Sequence, residues 1–503
     1  GITLTEEDKK VVPYKGETVE IPEVSQKIDE LLNTKPSIIN IGLQSFNQSI
    51  NDFGGKSVQF NWRPRANGNK KMIRILDALE EYDDQIAEEN QKVTDKIQNA
   101  QPFLVDVVTA NTVIPEFNEQ KTLLHAGPPI QYDEMTSPMQ GSCIGAALYE
   151  GWANNAEEAI KLFENGEVRF IPCHQVQAVG PMGGITSASM PVAVVENRLI
   201  GNQAYCILNE GIGKVLRFGA YSQEVLDRLD WMRDTLGPTL SKALQTTEEG
   251  LNLSVLIARS ITMGDEFHQR NIAASMDFLK EMAPLIVALD IPQKEKEEVV
   301  QFLSDTDQFF LNIMMATGKA IVDGARKDTK GTVVTTLARN GRDFGVRIAQ
   351  TKDDWHIAPV NTPKGLYFTG FSEEDGNPDF GDSSITETVG VGGMAMIAAP
   401  GVTRFVGAGG FQDALDVSNE MEKITISHNP TFTIPNWDFK GTCLGIDIRK
   451  VVETGITPLI NTGIASREAG VGQVGAGTVR APLGCFEKAL EAYAKDLGID
   501  VDE

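Results

Sequence analysis

The chain reads as α/β, with an N-terminal Rossmann-like domain, further α/β layers around a mixed sheet, and an all-helical domain in the middle. Within residues 37–62, the β-branched run SIINIG, a glycine turn, the helix-like QSFNQSIND and the alternation GKSVQFNW follow one another, as at the start of a parallel βαβ unit. Between residues 221 and 326 nearly every stretch fits a helical period, and past residue 330 strand-like runs return with dense glycine.

Taken in order, residues 1–36 form a polar N-terminal extension with one helix over 22–33. The Rossmann-like domain is placed at 37–134, with a charged helix over 77–94 and a buried strand over 102–110. The α/β segment at 135–220 carries helices over 141–152 and 156–165, then strands over 190–196 and 202–208 around a polar turn. Ser222 stands two residues before Glu224 as the N-cap that opens the helical domain, 221–326, whose helices are punctuated by Pro238, Pro284 and Pro292. The glycine-rich C-terminal α/β domain, 327–503, offers the strands GTVVTTLA, DFGVRIA, GLYFTG, KITISH and GIDIRKVV, and a closing helix over 484–497.

Bulk composition narrows the function. A length of 503 residues suits several domains, and 41% hydrophobic with 23% charged residues is ordinary for a globular protein. The formal net charge of -25 argues against nucleic acid, whose phosphates are bound by clustered Lys and Arg. The start GITLTEEDKK has no signal-peptide pattern, and the longest apolar run, 394–402, is far below the ~20 residues of a membrane span. Five scattered cysteines without a C-x-x-C pair read as free thiols in a reducing cytoplasm, and no zinc site is expected. A dinucleotide site is disfavoured: the first turn supplies only Gly42, and Asn61 stands where a ribose-binding carboxylate belongs.

Several stretches together resemble one family: INIGLQSF with NWRP, LLHAGPPI, GAALYEGWA, MGDEFHQRN, ARNGRDFGVRI, the loop over 370–393, and NTGIAS with GVGQVGAGTVRAPLGCFEKAL. Across about 37–490 the chain is similar to the AllG-like (YlbE-like) family, the large subunit associated with bacterial oxamate carbamoyltransferase. The resemblance implies reversible carbamoyl transfer (carbamoyl phosphate and oxamate to and from oxalurate and phosphate) in anaerobic allantoin breakdown. It also implies a multi-subunit, oligomeric assembly in which this chain need not act alone. The phosphate loop S-T-R-T and the H-P-x-Q element of ordinary transcarbamoylases are absent, so their fold and site do not transfer. A non-catalytic scaffold subunit is the alternative, and a nucleotide- or CoA-linked ligase a third reading that the missing Walker A loop counts against.

Carbamoyl transfer requires an anion cradle for phosphate, donors to the carbonyl oxygen and an Arg for the oxamate carboxylate; it requires neither a protein nucleophile nor a metal, and no cofactor is expected. In MGDEFHQRN, His268 suits a general acid/base and Arg270 an anion clamp; the plainer reading makes Asp265 or Asn271 a helix cap. His125 comes just after a strand over 121–124, at its C-terminal end, where ligands of open α/β sheets gather, although a lone His is more often structural. Arg339, Asn340 and Arg347 lie on or beside strands flanking a turn as candidate anion-binding residues; Arg339 and Arg347 offer bidentate contact to a carboxylate, with salt bridging to Asp343 as the competing reading. Gly472 and Gly475 in GVGQVGAG, with Arg480 beyond, suit an anion nest, or else a tight turn.

The loop over 370–393 holds six carboxylates, four hydroxyls over 383–388 and repeated glycines. It echoes a calcium loop, but its Gly falls one place late, Pro378 interrupts, and Thr386 replaces the closing Glu. Magnesium held through one or two of the carboxylates fits a little better than calcium, but no metal ligand is assigned. The preferred role is a site wall presenting hydroxyl and backbone donors, organised by Asp375, Asn377 and Asp382. A serine hydrolase is disfavoured because no G-x-S-x-G elbow appears.

Overall fold

A computed structural model describes residues 26–502. The result is mixed α/β with several sheets and many helices, divided into two units, one up to Pro64 and one from Arg65. Of the extension's predicted helix, the described part is Gln26–Asn33.

In the first unit the strands Ser37–Asn40 and Lys56–Gln59 pair in parallel around the helix Gln44–Asp52. Among the described residues these two strands pair with no third, and Ile39, Phe53 and Val58 are exposed. The Rossmann-like domain expected over 37–134 therefore does not share one sheet: the next long strand, Pro102–Thr109, belongs to the second unit and runs antiparallel to Pro191–Asn197.

The second unit is built on a five-stranded sheet in the order Ala178–Val179, Asn202–Ile207, Pro191–Asn197, Pro102–Thr109, Leu251–Asn252. The helix Phe309–Ala325 crosses it and touches the helix Asp83–Gln98 as well as the short helix Ile385–Thr388. That sandwiching explains why Phe309–Ala325 is buried almost all round, where a surface helix buries one stripe. The helices over 221–326 are all present, and the segment also lends the short strand Leu251–Asn252 to the sheet.

The C-terminal half supplies a four-stranded sheet, His356–Pro359, Asp343–Ile348, Val334–Asn340 and Phe380–Gly381, and a three-stranded one, Lys364–Tyr367, Gln473–Arg480 and Leu459–Ala465. The helix Leu483–Asp496 packs on the first of these. Two expectations change here. GIDIRKVV is not one strand: the strand Lys440–Ile446 stops at Asp447, whose carboxylate accepts the Arg449 N–H at 2.9 Å and caps the helix Ile448–Thr454. Cap chemistry overrides the β-branched composition. The run GVGQVGAG is not a turn throughout, because Gln473–Arg480 is the central strand of its sheet. All five cysteines are buried free thiols.

Candidate active site

The connection between the helices Leu253–Thr262 and Ile272–Val287 folds around two carboxylates. Asp265 Oδ1 accepts the N–H groups of Phe267 (2.9 Å) and Asn271 (3.0 Å), and Oδ2 accepts that of Ala274 (3.0 Å), in the first turn of the following helix. Glu266 Oε1 accepts the N–H groups of His268 (3.1 Å) and Arg270 (2.7 Å), while Oε2 accepts the Asn461 side-chain amide (2.8 Å). Burial raises both carboxyls above the ordinary range. Phe267 anchors the loop edge-on against Phe310 at 6.0 Å. Five backbone N–H groups are thus committed to two side chains, and the loop presents His268 in one pose.

Facing it is the second half of the loop over 370–393. The loop divides in two: Glu373 and Glu374 are exposed, whereas residues 379–393 are buried throughout. His268 Nδ1 lies 2.6 and 2.9 Å from the two carboxylate oxygens of Glu387, and Nε2 lies 2.9 Å from Ser383 Oγ. Glu387 is held independently by N–H donors from Gly393 and Asn461 (both 3.0 Å) and by the Thr386 hydroxyl (2.7 Å). Gly392 completes the turn at φ +66°, where a Cβ would run into that carboxylate. Glu387, His268 and Ser383 therefore form one continuous chain, buried to within 5% exposure. With Glu387 accepting from Nδ1–H, Nε2 is the acceptor and the Ser383 hydroxyl its donor.

Arg339 closes the other side. It is fully buried; Nε donates to Asp379 Oδ1 at 3.0 Å, Nη1 donates to the Gly381 carbonyl at 2.9 Å and lies 3.4 Å from Ser383 Oγ, and Nη2 lies 3.5 Å from Thr462 Oγ1. Burial raises the Asp379 carboxyl more than Arg339 lowers it. The chemistry this permits is general acid/base transfer at Nε2, with a guanidinium close by to balance developing negative charge.

A cavity of about 720 Å³ takes Gln269 and Arg270, the two residues that follow His268, into its wall. Three cations (Lys214, Arg217, Arg270) and one carboxylate (Asp307) line it, an inversion of the chain's overall charge of -25. Arg217 is partly engaged, 3.7 Å from Glu210, whereas Arg270 is exposed and enters no ion pair among the described residues. Gly472 lines the same cavity.

Other residues singled out in the sequence lie elsewhere. His125 ends the strand Thr122–His125, fully buried, its Nδ1 2.8 Å from the Ala126 carbonyl; burial lowers its pKa. Asn340 ties its strand to the Pro128 carbonyl (2.9 Å) and caps the turn by accepting the Arg342 and Asp343 N–H groups. Arg347 donates to Thr336 at 3.0 Å and stacks over Trp355; Asp353, not Asp343, is its acid, and burial lowers it to about 10. Gly475 is inside a strand, and Arg480 pairs with Glu420 at 2.6 Å and donates to the Thr457 carbonyl at 2.8 Å. Asp375 closes a small capping box with Ser372, while the Asn377 N–H donates to the Ala465 carbonyl at 2.7 Å. Asp382 accepts the Gly127 and Gly180 N–H groups at 2.8 and 3.0 Å. Ser383, Glu387, Glu266 and Asn461 were not singled out individually. The one available signal was the i, i+3, i+4 spacing of Ser383, Thr386 and Glu387, which one helical turn brings to a common side. Among the described residues no group of three or more His, Cys, Asp or Glu side chains is arranged to hold a metal, and no helix is long and apolar enough to cross a membrane.

Comparison with known proteins adds the following. A family model for oxamate carbamoyltransferase subunit AllG matches residues 168–383. A relative of that name from Escherichia coli is 60% identical over 414 residues, 82% of this chain and 99% of the relative. A second, named uncharacterized protein YahG from the same organism, is 39% identical over 465 residues, 92% of this chain and 98% of that one. The crystal structure of a conserved protein of unknown function from Enterococcus faecalis superposes with a TM-score of 0.80 at 41% identity, covering 82% of this chain and 98% of that one.

Proposed function

Because the chain belongs to the family of oxamate carbamoyltransferase subunit AllG, we propose that it is the active-site-bearing subunit of a carbamoyltransferase acting on a small oxamate-like acid. The observation that carries this is the cationic cavity lined by Gln269 and Arg270, the two residues that follow His268 in the chain, with His268 itself held between Glu387 and Ser383. Both substrates of such a reaction are anions, and a cavity with excess positive charge concentrates them.

Arg270 and Lys214 hold phosphate or carboxylate oxygens, with Gly472 giving the backbone room at the cavity wall. His268, oriented by Glu387, moves the proton that nitrogen–carbon bond formation releases. Arg339 balances charge that builds on the carbonyl oxygen. The same reading places the chain in a cytoplasmic multi-subunit assembly serving ureide breakdown. The βαβ unit over 37–64 is the start of a Rossmann-like element for partner contact, and the helices over 221–326 serve as a helical domain.

Calorimetry on the isolated chain tests this. Carbamoyl phosphate or oxamate is expected to bind the native chain, and Arg270→Ala to weaken binding about 10–100-fold, the worth of a charge-assisted contact, at an unchanged melting temperature. No heat from either ligand, with turnover of the reconstituted complex indifferent to Arg270→Ala, would make the chain a scaffold.

A further inference from the structure

We infer that Ser383 is the covalent carrier of the transferred group, forming an O-carbamoyl ester between donor and acceptor; this rests on the carbamoyltransferase reading above. Three requirements of an activated nucleophile meet at one atom. The base is in contact, with Ser383 Oγ 2.9 Å from His268 Nε2. The base is oriented by a carboxylate at 2.6 Å whose own position is fixed by two backbone N–H groups and a hydroxyl. An electrophilic group stands beside the nucleophile, since Arg339 Nη1 lies 3.4 Å from the same oxygen.

The neighbouring serine shows what a structural hydroxyl looks like in this loop. Ser384 Oγ donates to the Leu337 carbonyl at 2.5 Å and is fully buried, so its one proton is committed to the backbone. The Ser383 proton is committed to a base. Two buried oxygens beside this centre, Asp379 Oδ2 and Asn461 Oδ1, have no hydrogen-bond partner among the described residues, and as acceptors they suit the N–H₂ of a carbamoyl group. Ser383 and His268 are exposed by only 5% and 4%, so an ester formed here is shielded from hydrolysis by bulk water. A nucleophile elbow is not required, because the Ser–His–carboxylate arrangement recurs on unrelated folds by geometry.

The steps balance without a further reactant. Ser383 Oγ attacks the carbonyl carbon of carbamoyl phosphate as its proton passes to His268 Nε2. The carbon–oxygen bond to phosphate breaks, phosphate leaves with the electron pair, and His268 returns the proton to it. The acceptor nitrogen then attacks the carbamoyl carbon and gives a proton to His268. The ester bond breaks toward Ser383, and Oγ takes that proton back.

The experiment uses the reconstituted complex. Native enzyme given carbamoyl phosphate and labelled inorganic phosphate, without acceptor, is expected to exchange label into carbamoyl phosphate. Mass spectrometry is expected to find one added carbamoyl group on the Ser383 peptide, removed again by phosphate; that reversibility separates it from cyanate-modified lysine. Ser383→Ala is expected to abolish exchange and adduct and to lower turnover at least about 10³-fold, as loss of a nucleophile does. A native complex that turns over without exchange or adduct, with Ser383→Ala within about tenfold of native turnover, would overturn the covalent step and leave carbamoyl transfer standing as direct. A native complex that transfers no carbamoyl group to oxamate would overturn the underlying reading as well.

Discussion

Asp382 and Ser383 are consecutive, both buried, and each adjoins a carboxylate–histidine pair, but the two pairs are built for different ends. Asp382 Oδ1 lies 3.4 Å from His174 Nε2, close enough for electrostatic contact yet not aligned as a hydrogen bond. Its carboxylate is filled from the backbone instead, by Gly127 at 2.8 Å and Gly180 at 3.0 Å, and its own N–H returns to the Gly180 carbonyl at 2.9 Å. Asp382 is a staple joining three separated chain segments. On the far side of the peptide bond, Ser383 meets a histidine hydrogen-bonded at both ring nitrogens. Residue types alone do not distinguish the pairs. The difference lies in which protons the carboxylate receives: those of backbone N–H groups in one pair, and that of a histidine ring in a side-chain relay in the other.

The comparison breaks most visibly through stability. Asp382→Ala strands two buried N–H donors and is expected to cost about 3–5 kcal/mol in urea denaturation, the usual penalty for opening a buried charged cluster. A variant that unfolds like native but loses turnover would move Asp382 into the chemistry.

A smaller effect sharpens it by pH. Burial, with Lys319 and Arg347 nearby, lowers His174 to about 4, against 6.5 when unfolded, despite the opposing pull of Asp382. Between those values the unfolded chain binds the extra proton, so stability is lost as pH falls from about 6.5 toward 4. His125, lowered by burial, adds to the same trend, whereas Asp382 is held below its ordinary value and acts in a more acidic window. His174→Gln is expected to flatten that slope by roughly 2–3 kcal/mol over the window, read from denaturation at each pH. An unchanged slope would show that His174 is already protonated in the fold.

Much of this was legible in the residues, for reasons that differ by region. The helix Gln44–Asp52 and the strands around the turn at 197–201 follow from local periodicity, and local periodicity is what sequence displays. His268 stood out because MGDEFHQRN is too polar for a plain connection. Its partners did not, because Glu387 is 119 residues away in a loop whose acids look alike in sequence. The exposed Glu373 and the buried Glu387 part company only once the strand Leu459–Ala465 and the 263–271 connection are packed over one half of that loop. The strand Gln473–Arg480 was hidden for the opposite reason. Gly475 and Gly477 lower its β-propensity, yet a Cβ at either would collide with the backbone of Lys364–Tyr367, so that close strand approach demands the residues that disguise it.

The most direct test sets the two carboxylates against each other with matched substitutions, Glu387→Gln and Asp382→Asn, and measures turnover of the reconstituted complex per folded enzyme. Glu387→Gln keeps the shape and can still accept from Gly393 and Asn461, but it no longer holds His268 in the tautomer that accepts from Ser383. Turnover is expected to fall roughly 10³–10⁴-fold, as when the orienting carboxylate of a Ser–His relay is neutralised. Asp382→Asn is expected to lower stability and leave turnover per folded molecule within about threefold of native, since it removes a staple and no part of the proton path. Equal losses from both, or full turnover from Glu387→Gln, would contradict the account.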